Sequence, residues 1–359
     1  MHIRINLINC LLILFYATAP CYGQKNIDLI DYQKIKTRVI DLNQPEQNVN
    51  IPFNAIVVHD CRYDTTNIGF IKTTDNTILR LRLKDGIEKA ITDYYAKLII
   101  PSTYNPQNLT LHCYIKKLQL TDAILIDDRR VNGISRVQTE EKSGVLFKAE
   151  FYGQQDDIFI PFYRFDTTFY GNPTVWTAGH TYLEQAVVAS IKRISNLNWE
   201  QVRQNGKRLS QYDVTIYNEN QFQIPALQET PIKGVYRSFE DFTQNKPLNI
   251  PFVVKTKRGT TSIHLQNQKG KDSVFVEAWG YCDGRDRYIF SDRHFFKLQR
   301  NENGFFMYGT NRLKSKIISV PTIGPNLIFG GTDLYINNFR KDIINWQVYQ
   351  LDMENGHIY

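Results

Sequence analysis

Two stretches of this chain repeat apolar residues at helical spacing, while the segments between and after them alternate every second residue. That contrast restricts the fold more than any other feature. Over 77–99, Leu83, Ile87, Ile91, Tyr94 and Leu98 fall on one helical face, and Pro101 ends the run. Gly86 sits inside it and weakens such a helix by roughly 1 kcal/mol relative to alanine. A second face, Leu183, Val187, Ile191 and Ile194, predicts a helix over about 178–197. Before the first helix, 53–60 reads as a buried strand. Between the helices, Leu109, Leu111, Cys113 and Ile115 alternate on one face of a strand. Two more strands, about 144–152 and 157–166, flank the polar turn Gly153–Asp156. The order is βαβββα, an α/β sandwich with one sheet covered by two helices.

The second half has another texture. From about 204 the chain is rich in Gln and Asn, and 204–231 reads as a linker with a short strand at 213–217. Ser238 with Asp241 three residues on has the shape of a capping box, so a short helix begins there and stops before Pro247. Short aliphatic and aromatic runs then follow at 251–256, 260–266, 273–281, 286–290, 294–299, 304–308, 326–329 and 346–352. Asp283-Gly284 and Glu302-Asn303-Gly304 supply hairpin turns. This spacing predicts a β meander or small sandwich. The class is therefore α+β, with an α/β unit over 24–203, a linker over 204–231 and a mostly β unit with one short helix over 232–359. A length of 359 residues suits two such units at about 150 residues each. Each carries a complete hydrophobic pattern, so each is expected to fold alone.

The N-terminus sets the compartment. Arg4 precedes an apolar run from Leu7 to Ala17, too short for a bilayer span of about 20 residues and suited to a signal peptide. Cys21-Tyr22-Gly23 places small residues at −3 and −1, predicting cleavage before Gln24 and residues 1–23 as signal. Lipid on Cys21 is disfavoured because Pro20 stands where a lipobox needs Gly, Ala or Ser. No later stretch reaches the length of a transmembrane segment. The mature chain is thus expected to be exported, periplasmic or secreted. It keeps Cys61, Cys113 and Cys282, too few to staple a fold of this size. A Cys61–Cys113 bridge needs neighbouring strands, and buried thiols are the commoner state. The net charge of +7 is spread in small groups such as Lys34/Lys36/Arg38, so no nucleic-acid site is expected.

No sequence signature of a catalytic loop, a metal site or a cofactor occurs, and no cofactor or metal is expected. The most site-like cluster is His59-Asp60-Cys61-Arg62-Tyr63-Asp64, which places a thiol beside a base, with His112 and Cys113 on the next strand. Strand alternation puts His59 and Cys61 on one side and Asp60 and Arg62 on the other, so an internal Asp60–Arg62 pair and a packed Cys61 is the simpler reading. A second candidate is the aromatic stretch Phe159, Phe162, Tyr163, Phe165, Phe169, Tyr170 and Trp176. Much of it packs in a core by period two. The irregular part, 167–177, reads as a binding surface offering Phe169, Tyr170 and Trp176, with Arg164 nearby and Asp60 and Arg62 as further candidates. Trp279 is expected in the core and Cys282 at its rim.

The strand ending Val57-Val58-His59-Asp60-Cys61-Arg62, Gly69 before the first helix and a last helix after three strands together resemble the small α/β domains of Gram-negative envelope lipoproteins and of the periplasmic TolB N-terminal type. The likeness spans about 53–197 and implies binding to an envelope or outer-membrane protein. Gly234-Val235-Tyr236, Trp279-Gly280-Tyr281-Cys282-Asp283-Gly284 and the tail from Tyr349 to Gly356 resemble segments of uncharacterised secreted two-domain bacterial proteins, which lend no residue a role. The expectation is an exported envelope binding or assembly protein without catalysis. The alternative is a secreted hydrolase using Cys61 and His59.

Overall fold

The computed structural model describes residues 34–101, 109–128, 138–257, 259–266, 272–291, 293–301, 304–309 and 347–358. The expected signal peptide with Cys21, the strand at 326–329 and the Glu302-Asn303 turn lie outside them. The described residues form a mixed α+β structure with more strand than helix. Its largest element is a four-stranded sheet built from β3 (Ala55–Asp60), β7 (Leu109–Asp128), β8 (Gln138–Gln155) and β9 (Ile158–Gly171), in that order. β3 runs parallel to β7, and the long β7–β8–β9 ladder is antiparallel.

Helices α1 (Ile87–Leu98) and α2 (Val175–Ser195) share one core with this sheet. Leu183, Val187, Ile191 and Ile194 are all buried there, as are Ile91, Tyr95 and Leu98. A smaller sheet, β1 (Lys36–Ile40), β5 (Ile78–Leu83) and β4 (Phe70–Lys72) in that order, packs beside it, and β2 (Val49–Ile51) pairs in parallel with β6 (Ile99–Pro101). It is tied to β7 at a bridge between Gly69 and Leu120, where Leu120 N donates to Ile68 O at 2.7 Å, while Gly69 O accepts from Leu81 N of β5.

The expected helix over 77–99 is half strand. Asp85 and Gly86 both take positive φ, 62° and 81°, which breaks the helical path. Leu79, Leu81 and Leu83 therefore belong to a strand, and the helix starts at Ile87. The stretch 167–177 is also regular rather than irregular: β9 continues to Gly171 and α2 starts at Val175.

Within 204–231 there is no strand at 213–217. That segment is helix α4 (Gln211–Asn220), which follows α3 (Trp199–Asn205) and precedes the single turn α5 (Pro225–Gln228). Ser210 and Asp213 form a reciprocal capping box: Asp213 N donates to Ser210 Oγ at 3.1 Å, and Ser210 N to Asp213 Oδ2 at 2.8 Å. Val214 is fully buried against Tyr114, Tyr152 and Phe159 on the outer face of the large sheet. A strand of these residues would have needed pairing partners; the cap and one apolar contact suffice for a helix.

The C-terminal half contains a six-stranded antiparallel sheet: β10 (Gly234–Tyr236), β14 (Gly280–Cys282), β15 (Arg287–Ser291), β16 (His294–Asn301), β17 (Gly304–Gly309) and β18 (Gln347–Leu351). A three-stranded sheet, β11 (Phe252–Lys257), β12 (Thr260–Gln266) and β13 (Asp272–Val276), accompanies it. Helix α6 (Phe239–Thr243) starts at Ser238, whose hydroxyl accepts from Asp241 N at 3.1 Å. Asp241 itself accepts from Arg237 N rather than from Ser238, so the box is only half formed. Trp279 is partly buried and packs on Phe242 at 4.7 Å between ring centres, whereas Cys282 is fully buried instead of at the rim.

Candidate binding surface

The junction between β9 and α2 is pinned from three sides. Thr174, the residue before α2, makes no side-chain cap. Asp122 of β7 does that work instead, its carboxylate accepting from Val175 N at 2.7 Å. Tyr182 OH donates to Pro173 O at 2.6 Å, and Lys142 Nζ donates to Asn172 Oδ1 at 2.7 Å. Trp176 is thereby held in the first turn of the helix with half of its surface, 50%, still exposed.

Arg38 of β1 completes this corner. Its guanidinium carbon lies 3.7 Å from the Trp176 ring centre, a close cation–π contact, and its Nη2 donates to Trp176 O at 2.7 Å. Its Nη1 is buried and has no hydrogen-bond partner among the described residues. A cavity of roughly 130 Å3 opens here, lined by Arg38, Ile40, Asp41, Trp176, Gly179 and His180 among others. Asp41 is already engaged by Lys84 at 2.8 Å.

The other candidate residues lie on β9 and at the end of β3. Tyr170 lies near the end of β9 and is 53% exposed, while Phe169, pointing to the opposite face, packs partly into the core. Arg164 is exposed on β9 opposite Glu150. Asp60 and Arg62 form a two-pronged ion pair, Nε to Oδ1 at 2.8 Å and Nη2 to Oδ2 at 2.9 Å. Arg62 Nη1 donates to Asn67 O and Leu118 O, and the side chain is only 5% exposed, so this pair anchors the loop that follows β3. The six candidates thus do not form one site.

The cluster around His59 and Cys61 is arranged against nucleophilic chemistry. Gln154 donates its amide N–H to Asp156 O at 2.7 Å, so its Oε1 accepts from His112 Nε2 at 2.6 Å. His112 Nδ1 then accepts from His59 Nε2 at 2.9 Å. The base of the cluster is committed to another histidine rather than to the thiol. Burial lowers the pKa of both rings and pushes the Cys61 thiol up to about 11, only partly opposed by Lys116. A reactive cysteine needs the opposite shift. Cys113 is buried on the inner face and Cys61 packs with the outer-face cluster, and both are free thiols. A second cleft, between Lys116–Gln119 and the tail Gln350–Glu354, holds roughly 40 Å3, room for water rather than a substrate.

Neither a family model nor a curated protein matches this sequence. Two solved structures show slight likeness. One is an uncharacterised protein, 11% identical, covering 45% of this chain and 97% of its own, with a TM-score of 0.27. The other is a Xanthomonas campestris protein of the DUF330 family, 11% identical, covering 53% of this chain and 97% of its own, with a TM-score of 0.23. Scores this low transfer neither fold nor role.

Sequence reasoning did not offer Arg38 or Asp122 as a site residue. Arg38 stands 138 residues from Trp176 and belongs to a scattered basic trio, so no local pattern announces the contact. Among the described residues no helix is long and apolar enough to cross a membrane.

Proposed function

We propose that the chain is an exported cell-envelope protein that acts by binding an envelope or outer-membrane protein and carries out no catalysis. The observation that carries this reading is the Trp176 corner. A large aromatic is held half-exposed in one orientation by Arg38 and by a helix start that a neighbouring strand caps. Rigid, exposed aromatics beside an arginine are the residue types that dominate binding energy at protein interfaces. Tyr170, exposed across the short connection 172–174, extends the same region along the chain. The signal-like residues 1–23 and the envelope-type resemblance supply the compartment. The division into units 24–203 and 232–359 belongs to the same proposal. A hydrolase at Cys61 is disfavoured, because burial raises the thiol and His59 serves His112.

Site-specific photocrosslinking tests the reading. Benzoylphenylalanine in place of Tyr170 is expected to trap a discrete envelope protein, and in place of Tyr212 on α4, also exposed, to trap none. Equal trapping at the two positions, or none at Tyr170, refutes it.

A further inference from the structure

The geometry points to a covalent cross-link within the chain: an amide joining Lys116 Nζ of β7 to the side-chain carbon Cδ of Gln221, the residue after α4, formed with loss of ammonia while Glu150 of β8 carries protons. The link goes beyond the binding reading above and does not depend on it. It forms once per molecule and turns over no substrate.

Lys116 is placed by a bulge. β7 pairs with β8 as far as Ile115–Ala149 and resumes at Lys117–Lys148, so Lys116 is the extra residue between the two pairs. Its side chain is only 6% exposed, yet its amine makes loose contacts: 3.5 Å to Gln221 Oε1, 3.9 Å to Glu150 Oε2 and 4.9 Å to the Tyr217 ring centre. A buried ammonium ordinarily makes charge-assisted hydrogen bonds of about 2.8 Å. Burial lowers the Lys116 pKa against the opposing pull of Glu150 and Cys61, which favours the neutral amine that can act as a nucleophile. Lys148, buried on the same face, is instead held at both carboxylate oxygens of Glu354.

The two partners of that amine are fixed. Gln221 Nε2 donates to Cys61 O at 2.7 Å, which turns Oε1 toward Lys116, and Gln221 O accepts from Tyr63 OH at 3.0 Å. Glu150 Oε1 accepts from Tyr217 OH at 3.1 Å and Oε2 from Tyr152 OH at 3.4 Å. A nucleophile, an oriented amide and a carboxylate therefore meet between β7, β8 and α4.

Glu150 takes one proton from the Lys116 ammonium. The freed lone pair forms the Nζ–Cδ bond as the C=O π pair moves onto Oε1. A second Nζ proton passes to Nε2, the carbonyl reforms, and the Cδ–Nε2 bond breaks with its electron pair on nitrogen. The departing ammonia takes the proton held by Glu150 and leaves as ammonium. The product ties α4 to the large sheet across a sequence separation of 105, as a disulfide would, in a chain where Cys61, Cys113 and Cys282 are all free.

Tryptic mapping of the full chain under denaturing conditions tests this. The expected product is one species in which 98–117, uncut after Lys116, is joined to 209–233 with the loss of one ammonia. Intact mass alone does not decide, since cyclisation of an N-terminal Gln24 also loses one ammonia. Recovery of 209–233 unlinked, with cleavage after Lys116, overturns the inference, as does a link from Gln221 to Lys117 or Lys148. The unaltered protein settles the bond by itself. E150Q, used once its near-ultraviolet circular dichroism matches the parent, is expected to lower the linked fraction at least tenfold; an undiminished fraction overturns the role given to Glu150. Neither result bears on photocrosslinking at Tyr170, which judges the binding reading separately.

Discussion

His112 is hydrogen-bonded at both ring nitrogens, to His59 through Nδ1 and to Gln154 through Nε2. A proton added at Nδ1 has to displace His59, and the burial that lowers both pKa values opposes it as well. Folding thus favours the neutral rings, and the unfolded chain binds more protons once the pH drops below the ordinary histidine value of about 6.5. Stability is expected to fall as the pH descends from 7 through 6.5 toward 5. Urea midpoints at pH 7.5 and 5.5 measure the loss, and H59Q should shrink it; an unchanged loss in H59Q shows that other groups carry the dependence. Cys61 gives a second check at this scale. A thiol at about 11 carries roughly a hundredfold less thiolate near neutrality than one at the ordinary 9. Iodoacetamide at pH 7.5 should label it correspondingly slowly, and labelling at the rate of a free thiol contradicts the buried reading. The sequence made the Asp60–Arg62 pair legible because the two residues are neighbours along a strand. The Arg38–Trp176 pair was not legible, because only the fold brings β1 against α2.

Among the elements, the ones read correctly from sequence are those whose burial pattern is local. Leu183, Val187, Ile191 and Ile194 mark the core face of α2 without any knowledge of its partners. The first helix failed where two backbone residues outvoted a side-chain pattern. Leu83 fits both a helical and an alternating series, and Asp85-Gly86 at positive φ decides for the strand. Helix α4 was hidden by its Gln- and Asn-rich composition, although Ser210 with Asp213 carried a cap signal comparable to that of Ser238 with Asp241. Two glycines separate conformational strain from crowding. At Gly86 a Cβ meets nothing within 4 Å, so alanine costs only the strain of its backbone, φ 81° and ψ 169°, about 1–3 kcal/mol. At Gly69, also at positive φ, a Cβ would stand 2.1 Å from Leu120 O, where the small sheet joins β7. G69A adds that clash, about 1–3 kcal/mol or more, to a comparable backbone strain, so it is expected to destabilise more than G86A. Chemical denaturation of both variants measures the difference, and equal losses contradict the close backbone approach.

Across the whole molecule, the C-terminal tail meets the large sheet through two ion pairs, each with one buried partner. Lys117 Nζ lies 2.6 Å from Asp352 Oδ2, and Lys148, whose side chain is 9% exposed, lies 2.5 Å from Glu354. Phe70 packs edge-on against Phe306 at 5.5 Å, and Asn301 donates to Thr66 Oγ1 at 3.0 Å. If the units 24–203 and 232–359 fold separately, as proposed, these contacts hold them together afterwards. Exposed trypsin sites within and beside the connecting segment are Lys207, Arg208 and Lys233. Limited digestion should cut there first and leave two folded fragments that stay associated on a sizing column. Dispersed cutting inside α1 or β14–β16 instead refutes the division. The central claim, that this molecule works by binding at the corner where Trp176 meets Arg38, is tested most directly by hydrogen–deuterium exchange on the full chain, alone and with solubilised envelope proteins. Slowed exchange concentrated in 36–40 and 172–180 is the predicted result; unchanged exchange there, or slowing confined to other segments, contradicts it.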